Sequence, residues 1–278
     1  MYRILKMVFL ILSVFFCSDF VSANQKFLIV ANGPFDLRVV KDCLKDRTVV
    51  ALDGAAVKLY KHQINVNYVL GDFDSLTEAC KKAGVNPYNA TEVIAYFKNQ
   101  KKPDDSVLVF EHYTPKTQKP ARPIVFVRTY SQNYTDLDKG IQFCLNQAKA
   151  GETVDIQLVC ALGGNRTDHS LGNFAILRRY NKKQYPNLSL TIVTSEENIK
   201  FLQDETMTFA SFIGEKCGIF GFPEAKVDCQ ELRWPLTDMH LKVGYSDSSC
   251  NEVKSSPVTI SVKGEALIIM PRTARNRA

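Results

Sequence analysis

Apolar runs recur along the first two thirds of the chain, at residues 27–31, 48–52, 68–70, 124–128, 156–162 and 188–194. They are short, rich in Val and Ile and almost free of charge, the pattern of strands buried on both faces. Helix-like stretches stand between them: one from Ala55 to Lys61, one opening at Asp136 and running to about Ala150, and one after Asp168 reaching Arg179. This alternation predicts an α/β unit, a mainly parallel sheet with crossover helices, over residues 24–197. Residues 85–123, rich in Lys, Pro and Thr in their second half, are expected to form a surface excursion between strands. Beyond residue 198 the pattern changes. The runs Met207–Phe209, Cys217–Phe220 and Val258–Val262 are punctuated by Gly or Pro, and Lys263-Gly264-Glu265 separates the last from Ala266–Met270, which predicts a terminal hairpin. Residues 198–278 are therefore expected to form a small antiparallel β-sandwich domain.

Acidic residues cluster where these strands end. Val69-Leu70 runs into Gly71-Asp72-Phe73-Asp74-Ser75, and in an extended segment Asp72 and Asp74 would point to the same side. Paired carboxylates repel unless a cation lies between them, and Mg²⁺ favours such hard oxygen donors and bridges to phosphate. A solvated turn is the ordinary alternative for an isolated pair. Three further strand ends weigh against it: Asp53-Gly54 after 48–52, Thr135-Asp136 after 124–128, and Gly163-Gly164-Asn165-Arg166-Thr167-Asp168-His169 after 156–162. Thr135, Asp136 and Asp168 can equally serve as helix N-caps. Glycines at a strand-to-helix turn aim backbone N–H groups at an anion, and Arg166 adds a planar fork suited to phosphate. Asn32-Gly33-Pro34 can line the same crevice, because open α/β sheets bind ligands at the carboxyl ends of their strands. Asp53, Asp72, Asp74 and Asp136 are thus candidate ligands for one or two Mg²⁺ on phosphate oxygens. Gly163, Gly164, Arg166, Asp168 and Lys139 are candidates for the phosphates themselves. Lys139 has a solvated helix face as its alternative, and His169 a structural role. No G-x-x-x-x-G-K-[ST] loop is present, which excludes a P-loop kinase.

The ordered set Asp53-Gly54-Ala55, Gly71-Asp72-Phe73-Asp74-Ser75, Thr135-Asp136-x-x-Lys139 and Gly163-Gly164-x-Arg166-x-Asp168-His169 resembles the thiamine pyrophosphokinase family. The resemblance continues through Leu232-Arg233-Trp234-Pro235-Leu236 and Ser248-Ser249-Cys250-Asn251-Glu252, and covers roughly residues 26–271. It implies that the thiamine hydroxyl attacks the β-phosphorus of ATP, with AMP leaving. It also implies a homodimer that holds thiamine between unlike domains of two subunits. It assigns Trp234 to stacking on the thiamine pyrimidine, Ser248 and Asn251 to the same pocket, and Gln132 to a weaker thiamine contact. Trp234 is the only tryptophan, and a core position is its alternative. Cys250 departs from the family, in which Ser is usual before Asn251. Two other classes stay open: a metal-dependent phosphatase, since Asp72-x-Asp74 superficially resembles the haloacid dehalogenase motif, and an exported thiamine or nucleotide binder without turnover. In haloacid dehalogenases that motif follows the first strand, whereas here two strands precede it.

Composition adds little to this picture. The 278 residues are 45% hydrophobic and 23% charged, as in a folded protein, and the net charge of +6 is spread without a basic tract, so nucleic acid is not implied. Arg3 and Lys6 precede the apolar run Met7–Phe16, and Val21-Ser22-Ala23 offers a small-residue cleavage site. Residues 1–23 thus read as a secretory signal peptide, too short to span a membrane, leaving a mature chain without stable membrane insertion; a misread start codon or an uncleaved anchor are the alternatives. The cysteines other than Cys17 are scattered and odd in number, which is no disulfide framework, although one or two bridges are possible. The glycosylation sequons at Asn133 and Asn165 fall inside the strand-end motifs, where a glycan would obstruct phosphate binding. Bacterial-type export, periplasmic or secreted, or a cytoplasmic location fits better than a glycosylating pathway.

Overall fold

The structure is a computed structural model and describes residues 24–100, 110–114 and 123–272. The expected signal peptide, residues 1–23, lies outside the described residues. In chain order the α/β unit comprises β1 (Asn24–Val30), α1 (Leu37–Cys43), β2 (Thr48–Leu52), α2 (Ala55–Lys61), β3 (Tyr68–Gly71), α3 (Asp74–Ala83), α4 (Ala90–Lys98), β4 (Phe110–Tyr113), β5 (Val125–Thr129), α5 (Asp136–Gln147), β6 (Thr153–Val159), α6 (Thr167–Arg179) and β7 (Leu188–Val193). The antiparallel part comprises β8 (Glu197–Gln203), β9 (Thr206–Phe209), β10 (Lys216–Cys229), β11 (Leu236–Lys242), β12 (Ser248–Glu252) and β13 (Val258–Pro271).

Alternation along the central strands sorts their side chains onto two helical layers. Leu28 and Val30 of β1 pack with Val39 and Val40 of α1, Leu59 of α2 and Leu76 of α3. Phe27 and Ile29 face the other way, onto Leu137 and Ile141 of α5 and Ile176 and Leu177 of α6. Both layers bury the strands, which explains why the strands read as continuous apolar runs rather than alternating ones. The parallel strands lie in the order β5-β3-β2-β1-β6-β7. From β1 the chain builds outward through β2, β3 and β5, then crosses back to place β6 on the other side of β1. The gap between β1 and β6 is therefore the topological switch point, where the loops diverge and leave a crevice.

Three expectations change. Residues 85–123 are more than a surface excursion, because α4 buries Val93 and Phe97 in the core and β4 pairs antiparallel to β5 as the sheet's edge. The apolar run 156–162 outlasts its strand: Cys160 takes a left-handed φ of 56° and turns the chain out of the sheet, so β6 spans Thr153–Val159. The terminal hairpin does not exist. Lys263-Gly264-Glu265 is a bend inside the single strand β13, whose first half pairs with β9 and whose second half pairs with β8. Gly264, at φ +99°, permits this, since a Cβ there would stand 2.8 Å from the Glu224 carbonyl oxygen.

β10 is bent alongside β13, with a register shift between Gly221 and Ala225. The two long strands carry the sheet around an apolar core of Leu202, Ile219, Val227, Ile260 and Ile268. This antiparallel domain is not a separate sheet: β8 pairs with β7 through Ile192–Ile199 and Val193–Asn198. No helix among the described residues is long and apolar enough to cross a membrane. Cys43, Cys80, Cys144, Cys160, Cys217, Cys229 and Cys250 are all free thiols.

Candidate active site

A cavity of about 1110 Å³ opens at the carboxyl ends of the parallel strands, bounded by the turns after β1 and β6 and by the starts of α5 and α6. Asp53, the residue after β2, has a left-handed φ of 46° and donates its N–H to the Leu70 carbonyl at 2.9 Å, which turns its side chain inward between the ends of β2 and β3. It is 1% exposed, and neither carboxylate oxygen has a hydrogen-bond partner. Gly71 makes room for it. A Cβ at residue 71 would lie 3.1 Å from the Cβ of Asp53 and 3.5 Å from Oδ2 of Asp136.

Asp72 and Asp74 do meet, but not through the extended spacing expected. Phe73 between them is left-handed, φ 66°, with its ring buried against Phe97 and Phe126. That anchor turns the chain sharply into α3, and the Asp74 N–H donates to Oδ1 of Asp72 at 3.3 Å. Asp53, Asp72 and Asp74 each present an oxygen within 4.8 Å of the others. Asp136 begins α5 behind its N-cap Thr135, whose hydroxyl accepts from the Asp138 N–H. Burial, then the charges of Asp136 and Asp72, push the Asp53 carboxyl up to about 8. Burial also raises Asp136, and Lys139 works against that rise.

Lys139 does not lie on a solvated helix face. It is 3% exposed, and its ammonium lies 3.2 Å from Oδ1 of Asp136, away from the cavity wall. Its positive charge is set against the Asp136 carboxylate, which lines the cavity. Its α5 neighbour Asp138 is equally buried and is held by Arg179 and the Tyr180 hydroxyl, which ties α5 to α6.

Across the cavity, Gly163 and Gly164 both adopt left-handed φ, +82° and +84°. The Gly163 N–H donates to the Ser170 hydroxyl at 3.0 Å. Arg166 forks onto Asp168 at 2.9 and 2.6 Å, with both side chains more than half exposed at the cavity mouth. This pairing draws the Asp168 carboxyl down to about 2. His169 lines the same wall. Arg166 rather than Asp168 occupies the cap position of α6, and its side chain makes no capping bond.

The candidates in the antiparallel domain form a second cluster. Asn251, 3% exposed, accepts the Trp234 N–H at 3.2 Å and donates to the Trp234 carbonyl at 2.8 Å and to the Ser248 hydroxyl at 3.0 Å. Trp234 is not a core aromatic: it is 54% exposed, and the Arg233 guanidinium stacks over its ring at 5.1 Å. Gln132 sits exposed in the loop before α5. None of Gln132, Trp234, Ser248 and Asn251 lines the large cavity.

Residues 41–189 match the thiamin pyrophosphokinase catalytic domain, and residues 196–267 match the thiamin pyrophosphokinase vitamin B1 binding domain. The chain belongs to the thiamin pyrophosphokinase family. Among its relatives, thiamine pyrophosphokinase 1 of Arabidopsis thaliana is 30% identical over 151 residues, covering 51% of this chain and 54% of that protein. Thiamin pyrophosphokinase 1 of Caenorhabditis elegans is 30% identical over 138 residues, covering 46% and 54%. The chain thus spans about half the length of the curated relatives it matches. The fold agrees with the crystal structure of thiamine pyrophosphokinase from Bacillus subtilis, with a TM-score of 0.62 at 21% identity over 90% of this chain and 100% of that one. It agrees also with thiamin pyrophosphokinase from Candida albicans, with a TM-score of 0.64 at 15% identity over 89% of each chain.

One residue of the cavity wall had no signal in the sequence. Lys58, in the last turn of α2, lines the cavity and donates to the carbonyls of Asn32 and Gly33 at 3.0 and 2.8 Å. Those partners are about 25 residues away, beyond any local pattern.

Proposed function

We propose that this chain transfers pyrophosphate from ATP to the hydroxyl of thiamine, giving thiamine diphosphate and AMP. The observation that carries the reading is the buried, unpaired Asp53 among Asp72, Asp74 and Asp136, facing a glycine turn at the sheet's switch point. A buried carboxylate with two orphaned oxygens is costly unless a cation or proton meets it. These hard oxygen donors fit Mg²⁺, which Asp53, Asp72 and Asp74 would hold with Asp136 alongside. When bound, the ion would neutralise phosphate charge.

The protein's own residues do the rest. The Gly163-Gly164 turn and the Arg166 fork orient the phosphates, and Arg166 steadies the charge that builds as the thiamine oxygen bonds to the β-phosphorus. The bond from that phosphorus to the oxygen bridging to the α-phosphate breaks, AMP keeps the electron pair, and the hydroxyl proton is released. Trp234 stacks on the pyrimidine of thiamine, Ser248 and Asn251 border it, and Gln132 contacts it more weakly. Because these residues are absent from the ATP cavity of their own subunit, the reading includes a homodimer in which each cavity receives thiamine on the partner's antiparallel domain. The test is to incubate the full chain with thiamine, ATP and Mg²⁺. AMP should form in step with thiamine diphosphate, and neither should form without thiamine. Release of free phosphate independent of thiamine would instead identify a phosphatase.

A further inference from the structure

The cavity wall carries cations of two kinds. Arg166 is forked onto Asp168, and Arg179 is paired with Asp138. Lys58 bonds the two backbone carbonyls of Asn32 and Gly33, and among the described residues no carboxylate pairs with it; the side chain that acts on it electrostatically is the Cys160 thiol. An ammonium has three donors, so one is left over once those carbonyls are served.

Where that spare donor sits follows from how the turns are packed. The turn after β1 lies directly on the turn after β6: the Gly33 N–H donates to the Cys160 carbonyl at 3.1 Å, and a Cβ at Gly33 would fall 2.3 Å from the same oxygen. A Cβ on Gly164 would likewise meet Pro34 at 3.3 Å. Lys58 hangs from the Gly33 carbonyl, so its ammonium stands at the switch point, beside the turn that presents Gly163 and Gly164. Half-burial depresses its pKa, which a bound anion would reverse.

We propose that Lys58 is a phosphate-binding residue of this cavity, supplying an uncompensated positive charge to the phosphoanhydride chain of a nucleotide at the β1–β6 switch point. This rests on the ATP reading above and extends it to a residue outside the motifs read from the sequence. Arg166 must exchange Asp168 for a ligand, whereas Lys58 gains a charge partner without giving one up. Its two carbonyl bonds fix its position before the ligand arrives, which lowers the ordering cost of binding.

Calorimetric titration of the full chain, with Mg²⁺ and without thiamine, tests this with ATP, adenosine and inorganic tripolyphosphate as probes. Lys58→Met should weaken ATP and tripolyphosphate about ten- to a hundredfold, the scale of one charge-assisted hydrogen bond, and leave adenosine unchanged. Lys58→Arg should restore part of the loss, and melting temperature should hold in both variants. If Lys58→Met binds ATP and tripolyphosphate as tightly as the wild type, or weakens adenosine equally, the residue only staples the turn and the inference fails. A wild type that binds neither phosphate probe overturns it as well. Failure of the pyrophosphoryl-transfer reading would look different: ATP binding sensitive to Lys58, but no AMP when thiamine is added.

Discussion

At the ends of β2 and β3, Asp53 is buried with both oxygens unpaired and carboxylates on several sides. In the antiparallel domain Asn251 is buried almost as deeply, yet both ends of its amide are engaged. Its oxygen takes the N–H groups of Trp234 and Glu252, and its nitrogen serves the Trp234 carbonyl and Ser248. The first region holds repulsion and orphaned polar atoms that only a cation or proton relieves. The second is complete in itself and uses its hydrogen bonds to hold an exposed aromatic ring in place. On the proposed function, chemistry and stability fall to different parts of the fold. A substitution at the carboxylates should damage turnover and spare folding, whereas one at Asn251 should do both kinds of harm.

Asp72→Asn and Asp74→Asn should break the comparison most visibly. Each keeps shape and removes a charge in the turn from β3 into α3, outside the apolar core, so AMP formation should fall by roughly 10²-fold or more while melting stays unchanged. Full activity in both would remove the metal assignment. Asn251→Ala should cost about 1–3 kcal/mol of stability, because buried partners lose their bonds, and should raise the KM for thiamine. Trp234→Ala, at a residue already 54% exposed, should raise the thiamine KM by up to about tenfold for a lost stack, with melting and the ATP KM unmoved. Unfolding of the Trp234 variant would show that the ring supports the domain after all.

The unmet charge of Asp53 should also show in the pH dependence of the metal-free chain. Its folded carboxyl is raised from 3.8 to about 8, so the folded state holds a proton that the unfolded state has released. Its contribution to stability is fully present below the unfolded value and is lost as pH rises toward about 8. Melting measured in EDTA should therefore fall across that window, Asp53→Asn should flatten the fall, and Mg²⁺ should flatten it in the wild type. A wild-type profile without slope would contradict the strained site. The smallest effect is expected from Lys139→Met, which removes the buried counter-ion of Asp136. The metal-free chain should melt lower and need more Mg²⁺ for half-maximal activity, with the ATP KM unchanged; a raised ATP KM alone would return Lys139 to the phosphates.

Much of this molecule was legible in its sequence because the signals were local. Thr48–Leu52 and Ala55–Lys61 form the strand and helix their apolar patterns indicate, and each acidic motif falls just beyond a strand. A parallel strand buried on both faces has few other sequences open to it, and the turn that follows must carry polar or glycine residues. The β13 bend was not legible, because a Gly between two apolar runs reads alike whether the halves pair with each other or with β9 and β8. Nor were α4's place in the core, the left-handed turn at Phe73, or the different fates of two lysines. Lys139 turns inward to Asp136, while Lys58 hangs from the turn after another strand and pairs with no carboxylate among the described residues. The sequence by itself determined which elements form and which side chains stand at their ends. Only the tertiary structure decided which charges are buried together and that Lys58 stands in the cavity wall without a carboxylate partner among the described residues, because burial and Coulomb partners are set by chain segments far apart in sequence, and no local pattern encodes that distance.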